Sequence, residues 1–151
     1  MLINCVAYEE GTKLADIAVA AIGDYLARPG CFVWVALKDA SADELLEMQR
    51  QFHLHDLAVE DARHGHQRPK IEEYGDTVFM VMHMIEYSST DDLQVAEVCV
   101  FVGPNFVLSV RSHSTRVAKS DRSEGAAAAC ISAATSAAGS GASSFFAARV
   151  C

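Results

Sequence analysis

Residues 52–74 read FHLHDLAVEDARHGHQRPKIEEY and bring together four of the chain's six histidines, an acidic pair, a basic turn and a proline. The stretch begins where an amphipathic helix ends and finishes where a run of apolar strands begins, so it joins two kinds of structure. Asp56 stands at its centre as a candidate helix cap, because its carboxylate can accept from the backbone amides left without partners in a first helical turn. A helix of about two turns is expected from there, carrying Leu57, Val59, Glu60 and Asp61. Gly65 and Pro69 end it, since proline lacks the amide that a continuing helix needs.

On the N-terminal side, Ser41-Ala42-Asp43-Glu44 reads as a capping box, with Leu45, Met48 and Phe52 on the buried face of the helix that it starts. Before it, Cys31 to Leu37 (CFVWVAL) is apolar at every position, as an inner strand buried on both faces would be. The chain opens on a short apolar strand, Leu2 to Tyr8. Leu14, Ile17, Ala18, Ala21, Ile22 and Tyr25 then recur at spacings of three and four, which predicts a helix stopped by Pro29-Gly30. On the C-terminal side, Thr77 to Tyr87, Val95 to Val102 and Phe106 to Arg111 read as three strands, linked by turns at 88–92 and 103–105. The order strand, helix, strand, helix, helix and three strands predicts an α/β fold with a mixed sheet covered by helices on both faces.

Residues 1–117 are expected to form this domain. In 118–151, nineteen of thirty-four residues are Ala or Ser, without apolar periodicity, so a disordered or non-native low-complexity tail is expected. Such a mixture is also what a GC-rich coding region yields when read in another frame.

The net charge of −8 and the absence of a basic stripe argue against nucleic acid as a partner. Five cysteines, at 5, 31, 99, 130 and 151, are too widely spaced for a zinc knuckle or a disulfide framework. Cys5, Cys31 and Cys99 lie in apolar runs and read as buried, reduced thiols of a cytosolic protein. The first residues carry no signal-peptide pattern, and no segment reaches the ~18 consecutive apolar residues of a membrane helix. The chain taken alone is expected to be soluble.

Three groups of residues in 52–74 could carry chemistry. His53, His55, His64 and His66 form two His-x-His pairs, a donor set that suits zinc. A spacing of two shares a face only on a strand, however, and these pairs fall at a helix end and in a turn, where histidines cap helices and bond backbone groups. Glu60 and Asp61 are helical neighbours pointing about 100° apart. They are poorly placed to grip one ion together, but well placed to offer acid in two directions, one toward a second chain. Gln67-Arg68-Pro69-Lys70 is a basic turn among carboxylates and suits surface ion pairs. Ser109 lies in a strand without a nucleophile motif around it, and neither Gly-x-Ser-x-Gly nor His-Glu-x-x-His occurs. No enzyme is expected.

Leu54-His55-Asp56-Leu57-Ala58-Val59-Glu60-Asp61, followed by His66-Gln67-Arg68-Pro69-Lys70, resembles the linked motifs of the CorA family of magnesium and cobalt transporters, Leu-His-Pro-Leu-Ala-x-Glu-Asp and His-Gln-Arg-Pro-Lys. The similarity extends through Phe32-Val33-Trp34-Val35, Tyr74-Gly75-Asp76 and Glu97 to Arg111. It covers the chain from about residue 2 to residue 112. Asp56 replaces the family's proline, and both residue types suit a helix start.

The resemblance implies a cytosolic α/β domain on the cytoplasmic side of the cell membrane, part of a homopentameric transporter. It implies that Glu60 and Asp61 help to bind Mg2+ or Co2+, weakly and for regulation, between neighbouring subunits, together with an aspartate from the adjacent one. The family's stalk helix, two membrane spans and Gly-Met-Asn motif do not occur in these 151 residues. The chain is therefore expected to be a truncated regulatory domain that does not transport an ion by itself. The competing reading is a stand-alone zinc protein built on His53, His55, His64 and His66.

Overall fold

The chain enters on β1 (Leu2–Glu9) and reverses at once into β2 (Thr12–Asp16). The two-residue turn is made by Glu10 and Gly11, both at positive φ (49° and 80°), the backbone that matches the twist of a tight hairpin. A single 3-10 turn, Val19–Ala21, then leads into α1 (Ile22–Leu26). The helix expected from Leu14 is thus confined to its second half. Residues 12–16 instead satisfy their backbone groups against β1, and Leu14 remains 46% exposed. Ile22 is fully buried, with Tyr25 and Leu26 packed on the core.

β3 (Cys31–Lys38) is followed by α2 (Ala42–Phe52), α3 (Asp56–His64), β4 (Lys70–Tyr74), β5 (Thr77–Tyr87), β6 (Leu93–Val102) and β7 (Phe106–Ser112). β4 is an addition to the expected strands. Its sequence, KIEEY, alternates in burial but is too charged to read as apolar, and charge is what an edge strand carries to discourage pairing with other chains. This computed structural model describes residues 1–87 and 93–112, which lie in one compact unit, Met1–Val117. The turn expected at 88–92 and the tail expected at 118–151 fall outside the described residues.

The seven strands form one sheet in the order β2-β1-β3-β7-β6-β5-β4. β3 and β7 are parallel at its centre and every other neighbouring pair is antiparallel, which is the expected mixed α/β sheet. On one face, Val33, Val35, Phe79, Phe101 and Leu108 pack against Leu45, Met48 and Phe52 of α2 and Ala58, Val59 and Ala62 of α3. Phe52 stacks on Phe106 with ring centroids 4.4 Å apart. The strand positions in between, including Val6, Phe32, Trp34, Val98, Val100 and Val107, are buried as well, as inner strands of a two-sided sheet require. Cys5, Cys31 and Cys99 are buried free thiols, and burial pushes Cys5 up to about 11 and Cys99 to about 12.

The capping box forms as expected. Glu44 donates its backbone N–H to Ser41 Oγ at 3.2 Å, and Ser41 donates its own to Glu44 Oε2 at 2.9 Å. α2 ends on His53 in the left-handed region, φ 53°. The cap expected of Asp56 falls one residue earlier, where His55 Nδ1 accepts from the Leu57 N–H at 3.3 Å. Asp56 becomes the first helical residue, where its charge suits the positive end of the helix, and its carboxylate accepts from Gln49 Nε2.

Candidate functional site

α3 and the edge strand β4 together place the acidic pair. Ala58, Val59 and Ala62 are buried, so α3 is seated with its polar side outward, and Glu60 and Asp61 fall on either side of that outer surface. Glu60 is 61% exposed, and its Oε1 lies 3.9 Å from Nδ1 of His64, one turn on. Asp61 turns back toward the sheet. Its Oδ2 accepts from Lys70 Nζ at 2.6 Å, and only 25% of its side chain is exposed. The two carboxylates thus point in different directions, one to the outside and one to its own fold.

Lys70 also lies 2.9 Å from Glu72 Oε2, because residues 70 and 72 share one face of β4. Tyr74, two residues further along that face, donates its hydroxyl to the same Glu72 oxygen at 3.0 Å. The Tyr74 ring stacks on His55, centroids 4.3 Å apart, so the start of α3 and the end of β4 are tied together. The lysine amine is pushed well above its ordinary value, first by its hydrogen bond to Asp61 and then by Glu72. Glu72 is held below the usual carboxylate range, first by Lys70 and then by Tyr74.

The four histidines do not converge. His53 closes α2, His55 opens α3, His64 faces Glu60 in the last turn of α3, and His66 takes a positive φ of 57° in the following turn. Among the described residues, no group of three or more His, Cys, Asp or Glu side chains is arranged to hold a metal ion. The zinc reading therefore gains no site from the fold, and a cation at Glu60 or Asp61 would need further donors from outside this set. Ser109 donates to the Val35 carbonyl at 3.4 Å across the central strand pair.

Glu97 is a residue of this region to which sequence reasoning assigned no role. Among the described residues it is the one charged side chain that is buried, at 6% exposure. It accepts from the Gln67 backbone N–H at 2.9 Å and from the Cys99 thiol at 3.7 Å. His83, its partner across the β5–β6 pair, bonds the Gln67 carbonyl at 2.9 Å. The loop that connects α3 to β4 is therefore held at both its amide and its carbonyl by the sheet. An acid within the otherwise apolar run 95–102, VAEVCVFV, was the available signal.

Solved structures share this architecture. The chain resembles the full-length CmaX protein with a TM-score of 0.59 at 13% identity, over 75% of this chain and 35% of that one. It resembles the complete CorA magnesium transporter from Methanocaldococcus jannaschii with a TM-score of 0.54 at 14% identity, over 90% and 39%. The soluble domain of CorA from the same organism gives 0.52 at 15% identity, over 87% and 48%. The fold is thus that of a CorA soluble domain. A model of the family described as CorA-like Mg2+ transporter protein matches residues 30–126, and the chain belongs to this family, which is one of transporters and not of enzymes. YfjQ of Bacillus subtilis (strain 168), named for metal ion transport, is 33% identical over 82 residues. That match takes in 54% of this chain and 25% of the relative, so the chain spans about a quarter of the relative's length. Among the described residues, no helix is long and apolar enough to cross a membrane.

Proposed function

We propose that the chain is a cytosolic regulatory domain of a divalent cation transporter, for Mg2+ or Co2+, acting at the cytoplasmic side of the membrane within a homo-oligomer. In this reading Glu60 and Asp61 sense the ion at the contact between neighbouring subunits. The observation that carries it is the divergence of the pair. Glu60 stands 61% exposed while Asp61 faces Lys70 on its own edge strand, an arrangement useless for a local chelate but suited to an ion shared between two chains. A hard cation held by so few carboxylates binds weakly, on the order of 10⁻⁴ to 10⁻³ M, a range that lets the site follow free magnesium.

The test is a magnesium titration of the 151-residue chain followed by thermal stability, comparing the parent with a Glu60→Ala, Asp61→Ala double variant. Stabilisation of the parent alone supports the reading. An equal response in both sinks it. Residues 1–117 are proposed as the folded unit and 118–151 as a tail outside it, and limited proteolysis that trims the chain to a resistant core ending near Val117 supports that division.

A further inference from the structure

β5 and β6 run on past the rest of the sheet. The β4–β5 ladder ends at Lys70 opposite Val81, and the residue before Lys70, Pro69, has no amide to offer a further rung. The β6–β7 ladder ends at Glu97 opposite Ser112. β5 and β6 stay paired beyond both points, out to Tyr87 opposite Leu93. Among the described strands, residues 82–87 and 93–96 therefore pair only with each other, as a two-stranded ribbon that reaches about 20 Å past the end of β4 at the rise of a strand. A ribbon of two strands is marginally stable in water by itself. This one also carries apolar side chains into solvent: Ile85 is 73% exposed, and Val95, its cross-strand partner, is 57% exposed.

The outer side of β5 along residues 82–87, MHMIEY, is an edge, since alternate residues there turn their N–H and C=O groups away from β6. The other two edges of the sheet are guarded. β2 (TKLAD) and β4 (KIEEY) are five residues long, and each carries a lysine among acids, which is how edges are kept from pairing. MHMIEY has no lysine, arginine or proline, and Glu86 is its one formal charge. The same chain thus blocks two edges and leaves a third open and apolar. We propose that this edge is a docking strand for a second copy of the chain, the two copies joining their 82–87 segments antiparallel about a two-fold axis. A second copy fits because it brings an identical open edge, so that each side supplies the donors and acceptors that the other lacks. Pairing centred on Met84 sets Glu86 opposite the partner's Met82 and keeps the two acids apart, as cross-strand pairing requires. The inference adds a contact to the homo-oligomer proposed above and stands on the edge alone, without a cation at Glu60 and Asp61.

The experiment uses the full 151-residue chain in EDTA, so that no divalent ion takes part. Sedimentation equilibrium is run over a series of protein concentrations, and amide exchange is read residue by residue at low and at high concentration. An edge-to-edge contact of this length falls at the small end of protein interfaces, below about 1,200 Å², so a weak dimer is expected, forming in the micromolar range. Amides at alternate positions of 82–87 should exchange more slowly in the dimer than in the monomer. Ile85→Lys and Met82→Lys each place on this edge the charge that the other two carry, at side chains that are already exposed. Each should weaken association by about tenfold, two lysines entering every dimer. Ile71→Lys, at an exposed position of the guarded strand β4, should leave association unchanged.

A chain that stays monomeric up to millimolar concentration, with the 82–87 amides exchanging freely, overturns the proposal. So does a monomer in which those amides are already protected, which assigns the edge to a segment of the same chain. Association that both lysine variants leave unchanged, that Ile71→Lys weakens as much, or that grows past a dimer overturns it as well. Metal is absent throughout, so dimer formation is measured apart from the magnesium response, and either proposal can fail while the other holds.

Discussion

Glu97 on β6 accepts the backbone N–H of Gln67 at 2.9 Å across thirty positions of sequence. The bond fastens the loop after α3 to the middle of the sheet, and through that loop it fixes the end of the helix that carries Glu60 and Asp61. Removing a buried acceptor leaves its donor without a partner, at a cost of about 1–3 kcal/mol. Glu97→Ala should lower the thermal midpoint by several degrees and speed amide exchange at Gln67, while Glu97→Gln, which still offers an oxygen, should lose much less. Unchanged exchange at Gln67 in the alanine variant would show that the loop is held by other means.

A second expectation concerns the turn before β7. A Cβ placed on Gly103 would overlap the ring of Phe106, and that ring is stacked on Phe52 in the core. Overpacking of this kind costs about 1–3 kcal/mol, so Gly103→Ala should shift the urea midpoint downward by a corresponding amount. A neutral result would mean that the two rings slide apart without loss.

His53 offers a change in the opposite direction. It closes α2 at φ 53° and ψ 44°, a backbone that glycine adopts at less cost than any side chain. His53→Gly should stabilise the chain by about 0.5–1 kcal/mol, measured by denaturant titration, with no change in metal content after purification without chelator. A loss of bound zinc in this variant would return His53 to the list of ligands.

The Lys70 cluster has a defined pH dependence. A base whose folded pKa is raised stabilises the fold at every pH below its unfolded value and loses that contribution as pH climbs through the folded one; for an acid whose pKa is lowered, the contribution is present above the unfolded value and lost as pH falls. Lys70 is raised, by Asp61 and then Glu72, and Glu72 is lowered, by Lys70 and then Tyr74. The difference in thermal midpoint between the parent and Lys70→Met should therefore be constant from about pH 6 to about pH 9 and shrink toward about pH 3, below the ordinary carboxylate range. A difference that grows on acidification would contradict the pairing.

The central strands and α2 were legible because their signals are local. CFVWVAL is uniformly apolar, and Ser41 with Glu44 forms a complete cap within four residues. β2 and β4 were not legible, because an edge strand is defined by its neighbour as much as by its own residues. TKLAD and KIEEY pair only because β1 and β5 lie beside them. The site divided along the same line. The divergence of Glu60 and Asp61 follows from helix geometry alone, and that much could be read. That Asp61 turns toward Lys70 depends on the hairpin Tyr74-Gly75-Asp76-Thr77 returning β5 to lay β4 beside α3. The burial of Glu97 likewise depends on β6 pairing with β5 and β7: its own strand marked it as an acid in an apolar run, but not what it would meet.

The parallel pairing of β3 with β7 bears on how the molecule comes into being. Val33 lies opposite Phe106 and Leu37 opposite Val110, so the two middle strands are among the most distant in sequence, and the segments between them must be gathered before they meet. A chain emerging from the ribosome would hold β1, β2 and β3 as an unfinished half-sheet until Phe106–Ser112 had been made. Contacts of such long sequence separation slow folding. Among the described residues, the strand synthesised last is thus the one that closes the centre, and a nascent chain stalled before it would expose the apolar edge of β3 to its neighbours.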